Sequence, residues 1–257
     1  MRKLNYNKLN QIYDISRKAN PNTVMDLVRL TQITSNSLLL DMGCGTGNYT
    51  ISLKSFARCV IGADISLGMI NKARNKSINL DLINCDITFL PFTKCIFDAL
   101  YIIQVFHHIN DKSRLLKEAH RILKKKGYLA IHTCSHDQIK TYWYYHYFKE
   151  GLTIDLQRIP DIIEIISLLE KNGYSRIGVK VCHEDPVIMN QSPENYLDKN
   201  FRDGDSTFSL LTEEETKLGC RKLRKDIKSG VINKIIKKYE QKMKIIGGSS
   251  IIYCQKI

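Results

Sequence analysis

The feature that most constrains this 257-residue chain is an apolar run followed by an acidic residue and three alternating glycines. The run covers 38–40, Asp41 follows it, and Gly43, Gly45 and Gly47 occupy every second position of the next segment. A run this short fits a buried parallel strand. Glycines let the backbone turn sharply and approach a ligand closely because they lack a Cβ. A helix after this loop would offer free N–H groups and a positive dipole end to an anionic group. The sequence therefore predicts a nucleotide-type cofactor site at the C-terminal edge of the first strand.

Strand and helix patterns alternate from residue 37 onwards, which indicates a mostly parallel sheet covered by helices on both faces. The strands are predicted at 38–42, 59–63, 79–84, 97–103, 128–133, 174–182 and 249–255. Helices are predicted within 1–35, at 47–57, 67–77 and 111–124, after Pro160 to about 172–173, and at 212–229 and 232–246. The expected fold class is α/β, with a seven-stranded sheet and an inserted helical cap.

Local signals set several of these boundaries. Ser66 and Asp111 are predicted N-caps, and Thr212 with Glu215 forms a capping-box pattern. Gly127 follows three lysines and is predicted to end the preceding helix in a left-handed conformation. The segment 183–211 is expected to be irregular. We therefore expect an N-terminal helical lid at 1–35, a cofactor-binding sheet domain at 36–182 and 247–257, and the cap at 183–246.

Composition narrows the cell compartment and the kinds of partner that we expect for this chain. The eight cysteines are scattered without a C-x-x-C pair, which is typical of reduced thiols and predicts no metal site. No apolar run reaches the length of a membrane span, and we expect a cytoplasmic protein. The net charge is +13, and 217–244 contains eleven Lys or Arg against two acidic residues. A solvated helical face is favoured over a nucleic-acid surface for this segment.

A carboxylate at the end of the second strand narrows the choice of cofactor. Asp64 lies 23 residues after Asp41 and ends the run 60–64. It can accept both hydrogen bonds of a ribose diol. The glycines follow a G-x-G-x-G spacing rather than the G-x-G-x-x-G spacing of dinucleotide sites.

These motifs, together with 84–92, 103–109 and 121–127, occur in the order and spacing of the class I S-adenosylmethionine-dependent methyltransferases, which the chain resembles over about 37–133. The resemblance implies a Rossmann-like sheet, the cofactor S-adenosyl-L-methionine and the product S-adenosyl-L-homocysteine. It places the ribose on Asp64 and the adenine amino group on Asp86. The implied cofactor-binding residues are Arg17, Asp41, Gly43, Gly45, Gly47, Asp64, Ile65, Met69, Asp86, Ile87 and Gln104.

Candidate catalytic residues follow the fourth strand. His107 and His108 lie just beyond it, and a histidine can accept a proton or orient a substrate near neutral pH. His108 falls where phosphoethanolamine N-methyltransferases, a related group, carry a catalytic histidine paired with an N-terminal tyrosine, a part that Tyr13 would take here. The aromatic segment 142–148 provides candidate acceptor-binding residues, or packs the cap onto the sheet. The acceptor-binding candidates are Tyr142, Trp143 and Tyr145.

The sequence is compatible with three functions. The first choice is methyl transfer to an O, N or C atom of a small molecule. The second is an RNA- or protein-directed methyltransferase that docks through the basic helices of 217–244. The third is a non-catalytic binding module that retains the cofactor fold. The protein is expected to be a monomer or a homodimer.

Overall fold

The computed structural model describes residues 18–77, 79–183 and 192–257. Its strands are β1 (Leu38–Met42), β2 (Cys59–Asp64), β3 (Asp81–Asn84), β4 (Phe97–Ile103), β5 (Leu123–Thr133), β6 (Tyr174–Cys182) and β7 (Ser249–Lys256). Its α-helices are α1 (Pro21–Leu30), α2 (Asn48–Leu53), α3 (Leu67–Lys76), α4 (Lys112–Ile122), α5 (His136–Ile139), α6 (Lys149–Arg158), α7 (Ile162–Lys171), α8 (Lys199–Asp203), α9 (Glu213–Ser229) and α10 (Val231–Ile246). Within the described part of the chain, no helix combines the length and the apolar character that crossing a membrane requires.

The seven strands form one sheet in the order β3-β2-β1-β4-β5-β7-β6. Strands β1 to β5 pair in parallel, and β7 pairs antiparallel with β5. The predicted mostly parallel α/β sheet is therefore confirmed. Because the C-terminal ends of parallel strands meet at one edge, the segments that follow β1, β2, β3 and β4 gather there.

The sheet belongs to one compact unit, made of Ala19–Thr133, Asp161–Lys180 and Ser250–Ile257. One core cluster joins the central strands to fully buried side chains of α4 and α7, among them Leu115 and Leu169. Tyr101 on β4 is also fully buried, and its hydroxyl lies 2.8 Å from Thr31 Oγ1, next to the end of α1. The described part of the predicted lid, α1, therefore packs within the sheet unit.

The three predicted N-caps are confirmed, whereas the helix end predicted at Gly127 is wrong. Ser66 and Asp111 cap α3 and α4 through their side chains, and Thr212 opens α9 with a full capping box. Gly127, however, does not end a helix, because α4 stops at Ile122 and β5 already runs through 123–127.

Gly127 is needed for space rather than for a left-handed backbone. The positive φ of 63° in this segment belongs to Lys126. A Cβ on Gly127 would lie 2.9 Å from the backbone oxygen of Asp98. The sequence therefore correctly marks a position that requires glycine, but the reason is the close approach of the backbone of β4 and not the end of a helix.

A second compact unit contains, among the described residues, Cys134–Pro160 and the described part of Val181–Ser249. Its boundaries differ from those of the predicted cap, because 134–160 groups with the helices after 192 instead of with the sheet. The aromatic segment provides the reason. Trp143 packs edge-on against Tyr196 with ring centroids 5.0 Å apart, and Phe148 packs edge-on against Phe208 at 4.8 Å.

The predicted irregular segment 183–211 is only partly irregular. It contains α8 and short 3-10 turns at Pro193–Leu197 and Phe208–Leu210. These elements are too short to show a helical period, and their buried residues Tyr196 and Phe208 are fixed by the aromatic cluster. Periodicity alone therefore could not have revealed them.

Gly219 gives a test of this packing. Replacing an exposed helical glycine by alanine usually stabilises a helix by about 1 kcal/mol. Here a Cβ would lie 2.4 Å from Phe148 Cδ1 and 2.9 Å from the backbone oxygen of Tyr147. We therefore expect Gly219→Ala to lower the free energy of unfolding by about 1 to 3 kcal/mol in urea denaturation. Lys222→Ala, at an exposed site of the same helix, should change it by less than about 0.5 kcal/mol; a stabilised Gly219→Ala variant would contradict this packing.

Candidate functional site

The glycine loop after β1 is built from left-handed backbone positions. Gly43, Gly45 and Gly47 have φ angles of 82°, 54° and 77°, which L-residues with a Cβ adopt only with strain. The amides of Gly43 and Cys44 both donate to the carbonyl oxygen of Ala63 on β2, at 2.7 and 3.0 Å. The loop is therefore held against the end of the neighbouring strand.

Gly43 also meets the segment that follows β4. A Cβ at Gly43 would lie 2.6 Å from Cγ1 and 2.7 Å from Cγ2 of Val105. Only a glycine fits this approach without movement of the valine or the loop. The contact brings the glycine loop next to the turn that carries the two histidines.

Asp64 ties the loop to β2 and keeps acceptor capacity. Its Oδ2 accepts from the Gly45 amide at 2.9 Å, and its Oδ1 accepts from the Ser66 amide at 2.8 Å. A carboxylate has about four lone-pair sites, so each oxygen can accept one further hydrogen bond. Burial raises the pKa of Asp64, while the hydrogen bonds from Ser66 and Gly45 oppose that shift. These features fit a ribose diol donating to both oxygens.

The end of β3 joins the same group. Asn84 Nδ2 and the Cys85 amide donate to the carbonyl oxygen of Asp64 at 2.8 and 3.0 Å. Asp86 follows directly, and its Oδ1 accepts from both the amide and the hydroxyl of Thr88 at 2.8 Å. Asp86 therefore closes its own turn, and its predicted contact with an adenine amino group stays a prediction.

The three apolar residues among the predicted cofactor-binding residues, Ile65, Met69 and Ile87, differ in exposure. Ile65 is 64% exposed beside Asp64. Met69 and Ile87 are buried, and Ile87 belongs to the main core cluster. Ile65 therefore offers exposed apolar surface, Met69 and Ile87 pack in the interior, and a contact of any of the three with a cofactor stays a prediction.

The two histidines sit on a 3-10 turn, Phe106–His108, just past β4. Phe106 is buried and anchors the turn, and the rings of His107 and His108 are 4.0 Å apart and half-buried. Gln104 precedes the turn with a φ of 57°, a strained value for a residue other than glycine. Its amide donates to the His132 carbonyl at 3.0 Å, which fixes this bend.

Asp41 lies beneath the loop rather than on it. It is 2% exposed, and its Oδ2 accepts from Thr50 Oγ1 of α2 at 2.6 Å. Burial raises its pKa to about 6; the hydrogen bond from Thr50 opposes this shift and the Asp64 carboxylate adds to it. Asp41 therefore joins β1 to α2 across the loop, and its direct contact with a cofactor stays a prediction.

The raised pKa of Asp41 predicts a pH-dependent loss of stability. Between about pH 4 and pH 6 the folded state binds more protons here than the unfolded state, so stability falls as pH rises. The shift from 3.8 to about 6 corresponds to about 3 kcal/mol. We expect Asp41→Asn, which stays neutral, to lose most of this decline when urea denaturation of the ligand-free protein is repeated across that range. Parallel curves for the two proteins would contradict the assignment.

The acceptor-binding candidates lie in the second unit and are engaged there. Tyr142 donates to the Gly248 carbonyl at 2.8 Å, and the Tyr145 hydroxyl donates to the buried carboxylate of Asp155. Trp143 is buried among aromatic rings. A role of these three residues in acceptor binding stays a prediction, as do those of Tyr13 and Arg17, which lie outside the described residues.

Three residues of the site were not singled out as site residues by the sequence. Thr50 and Val105 act through contacts with Asp41 and Gly43 over nine and 62 positions, which no local pattern reveals. Ser66 was predicted only as a helix cap, although its amide also donates a hydrogen bond to Asp64.

The helix α2 is shorter than predicted, because it ends at Leu53 and continues as a 3-10 turn.

Comparison with known proteins relates this site to methyl transfer. A methyltransferase domain model matches residues 40–131, which include the glycine loop, Asp64 and the histidine turn. A demethylmenaquinone methyltransferase of Staphylococcus carnosus is 30% identical over 202 residues, which cover 68% of this chain and 83% of that protein. A tRNA (carboxymethyluridine(34)-5-O)-methyltransferase of Xenopus tropicalis is 32% identical over 127 residues, 48% of this chain. The chain spans only 20% to 47% of the length of this and two other curated relatives.

A solved structure has the same fold over nearly the whole chain. It is that of an Anabaena variabilis protein assigned as a methyltransferase of an antibiotic biosynthesis pathway, with a TM-score of 0.78 and 23% identity. The match covers 93% of this chain and 98% of the other. At this identity it supports the fold alone. Together with the extent of the quinone-enzyme match and the glycine loop linked to Asp64, it leads to one assignment: the chain belongs to the class I S-adenosylmethionine-dependent methyltransferases.

Proposed function

We propose that this methyltransferase acts on a small molecule, at an O, N or C atom. The observation that carries the proposal is the match to the demethylmenaquinone methyltransferase, which covers 83% of that protein and continues beyond the domain at 40–131. Demethylmenaquinone, named as the substrate of that relative, is a small molecule. The proposal assigns the same class of acceptor to this chain without assigning that compound.

In such a reaction the residues of this chain bind the cofactor, orient the acceptor and exclude water. The bound S-adenosylmethionine supplies a methyl group already activated by its sulfonium. Asp64 offers two oxygens to a ribose diol, and the glycine loop allows the backbone to approach the cofactor closely. The turn at Phe106–His108 presents two imidazoles at the same edge of the sheet. Alignment of the acceptor with the methyl group and exclusion of water then account for most of the catalysis.

His108 is proposed to orient the acceptor and to take its proton. The backbone amide of His108 donates to the Val105 carbonyl at 2.8 Å, so the residue is held by the segment that touches Gly43. We expect His108→Ala to lower kcat about 10²-fold while S-adenosylmethionine affinity stays within about twofold. His107→Ala is the matched control, and we expect a smaller loss from it. Equal activity of His108→Ala and the unmodified protein would remove this role.

Transfer RNA is the second candidate substrate class. The tRNA methyltransferase of Xenopus tropicalis and the proteins named probable tRNA methyltransferase 9B in mouse and human are 32% to 36% identical to this chain. Those matches cover only 20% to 26% of the relatives. They support the methyltransferase domain more than a shared substrate, so this candidate ranks second.

Labelled cofactor separates the two candidates. The protein is incubated with S-adenosylmethionine labelled in its methyl group and a filtered cell extract, and the products are divided by size and by sensitivity to nuclease. The small-molecule proposal predicts label in the low-mass fraction, absent with boiled protein and with Asp64→Ala. Label confined to nuclease-sensitive material of high mass would overturn it in favour of RNA.

A further inference from the structure

The cations of α9 and α10 form one outward surface, which we call the basic surface. All eleven Lys and Arg between Lys217 and Lys244 are exposed. The two acidic residues of this segment are half-buried, and Asp226 accepts a hydrogen bond from Tyr147 at 2.9 Å. The segment therefore carries a net charge of +9, where the whole chain carries +13. Both helices turn their buried residues, such as Leu223 and Ile232, towards the same aromatic cluster, which leaves the cations on the outside.

These cations are arranged in stripes and are little used within the protein. Lys217, Arg221, Arg224 and Lys228 follow the i, i+4, i+7, i+11 spacing of a single helix face. Of the eleven, only Lys217 forms an ion pair with a side chain in the described residues, Glu213 at 2.7 Å. A surface whose positive charges are not neutralised within the protein attracts polyanions, so a molecule that binds this surface must carry negative charge.

Large aliphatic side chains lie among the cations. Leu218 is 46% exposed and precedes Arg221 and Lys222 by one helical turn. Ile245 is 80% exposed and lies one turn after Lys242 and two turns after Lys238. Val231, at the start of α10, is 44% exposed. These three aliphatic side chains are therefore exposed on the same surface as the lysines.

This chemistry favours a lipid surface over a nucleic acid. Nine of the eleven cations are lysines, which lack the planar fork of arginine that recognises phosphate and guanine with two parallel hydrogen bonds. Single-stranded nucleic acids stack on exposed aromatic rings, whereas the exposed large apolar residues of α9 and α10 are aliphatic. Lysines with interleaved aliphatic groups match an anionic headgroup layer above acyl chains.

We propose that the basic surface of α9 and α10 docks this methyltransferase onto bilayers that contain anionic lipids. The lysines contact lipid phosphate and carboxylate groups, and Leu218, Val231 and Ile245 insert among the headgroups. For an apolar small-molecule acceptor, which dissolves in the bilayer, this docking would also bring the enzyme next to its substrate. That last link rests on the proposed function, while the docking itself does not.

Vesicle co-sedimentation of the full chain tests the docking without any acceptor. We expect binding to vesicles of phosphatidylcholine with 30% phosphatidylserine, little binding to phosphatidylcholine alone, and release in high salt. Each cation near such a surface strengthens binding about fivefold. Lys225→Glu/Lys234→Glu/Lys238→Glu should therefore weaken it more than 100-fold. Lys94→Glu/Lys125→Glu/Lys171→Glu, which changes the net charge equally at exposed sites of the sheet unit, should retain most of it.

Two further measurements separate insertion and RNA binding from simple charge attraction. Leu218→Ser/Ile245→Ser should lower binding to the anionic vesicles several-fold, with an unchanged thermal midpoint and S-adenosylmethionine affinity as controls for folding. Total transfer RNA is titrated under the same conditions. Tighter binding to this RNA than to the anionic vesicles, indifferent to Leu218 and Ile245, would overturn the proposal, as would equal loss in both triple-lysine variants. Because methyl transfer is not measured, this outcome is independent of the acceptor class.

Discussion

Asp64→Ala should weaken S-adenosylmethionine binding at least about 100-fold in calorimetric titration. The carboxylate offers two charge-assisted hydrogen bonds to a ribose diol, each worth about 1.5 to 3 kcal/mol. The change also removes the acceptors of the Gly45 and Ser66 amides, at 2.9 and 2.8 Å, so the glycine loop loses its link to β2. The lost ribose hydrogen bonds and the loosened glycine loop both lower the affinity for S-adenosylmethionine.

Asp81→Ala is the matched control for this prediction. Asp81 begins β3, at the opposite end of that strand from the site, and is exposed. Its removal should leave the affinity within about twofold, since surface changes away from a site have small effects. An Asp64→Ala variant that remains folded by circular dichroism and binds S-adenosylmethionine like the unmodified protein would contradict the assignment of the site.

Gly43→Ala should destabilise the protein by about 2 to 5 kcal/mol and reduce cofactor binding. The φ of 82° alone costs an alanine about 1 to 2 kcal/mol. The new Cβ would also lie 2.6 Å from Val105 Cγ1, an overlap that costs about 1 to 3 kcal/mol. Urea denaturation measures the sum.

A double-mutant cycle separates the two causes. In a Val105→Ala background the overlap with the two methyl carbons is gone, while the tight 3.0 Å approach to the Cβ of residue 105 and the backbone strain stay. Gly43→Ala should therefore cost clearly less there than in the unmodified protein. An equal cost in both backgrounds would show that the side chain of Val105 does not limit the space at Gly43. The cycle therefore tests directly whether the glycine loop and the histidine turn are in contact.

The part of the site that the sequence predicts is the part encoded locally. Asp64 ends β2, and the three glycines follow β1 with positive φ angles, as their spacing indicates. Strand ends, turn glycines and caps such as Ser66 depend on neighbouring residues only. For the same reason the strand β1 and the fold class are readable from a single sequence.

The remaining features depend on contacts between distant residues. Nothing near Asp41 signals that Thr50 is its partner, and nothing near Gly127 signals that the backbone of Asp98 comes close. The aromatic segment raises the same difficulty. Nothing next to Tyr145 signals that its hydroxyl donates to the carboxylate of Asp155, ten positions further along the chain.

A crystal structure of the protein with S-adenosylhomocysteine would show whether Asp64 and the glycine loop hold the cofactor. We expect both ribose hydroxyls within hydrogen-bond distance of the Asp64 carboxylate, the adenine against Ile65, and the sulfur at the edge that carries Gln104 and the histidine turn. A ligand bound elsewhere, or one whose ribose has no contact with Asp64, would contradict it.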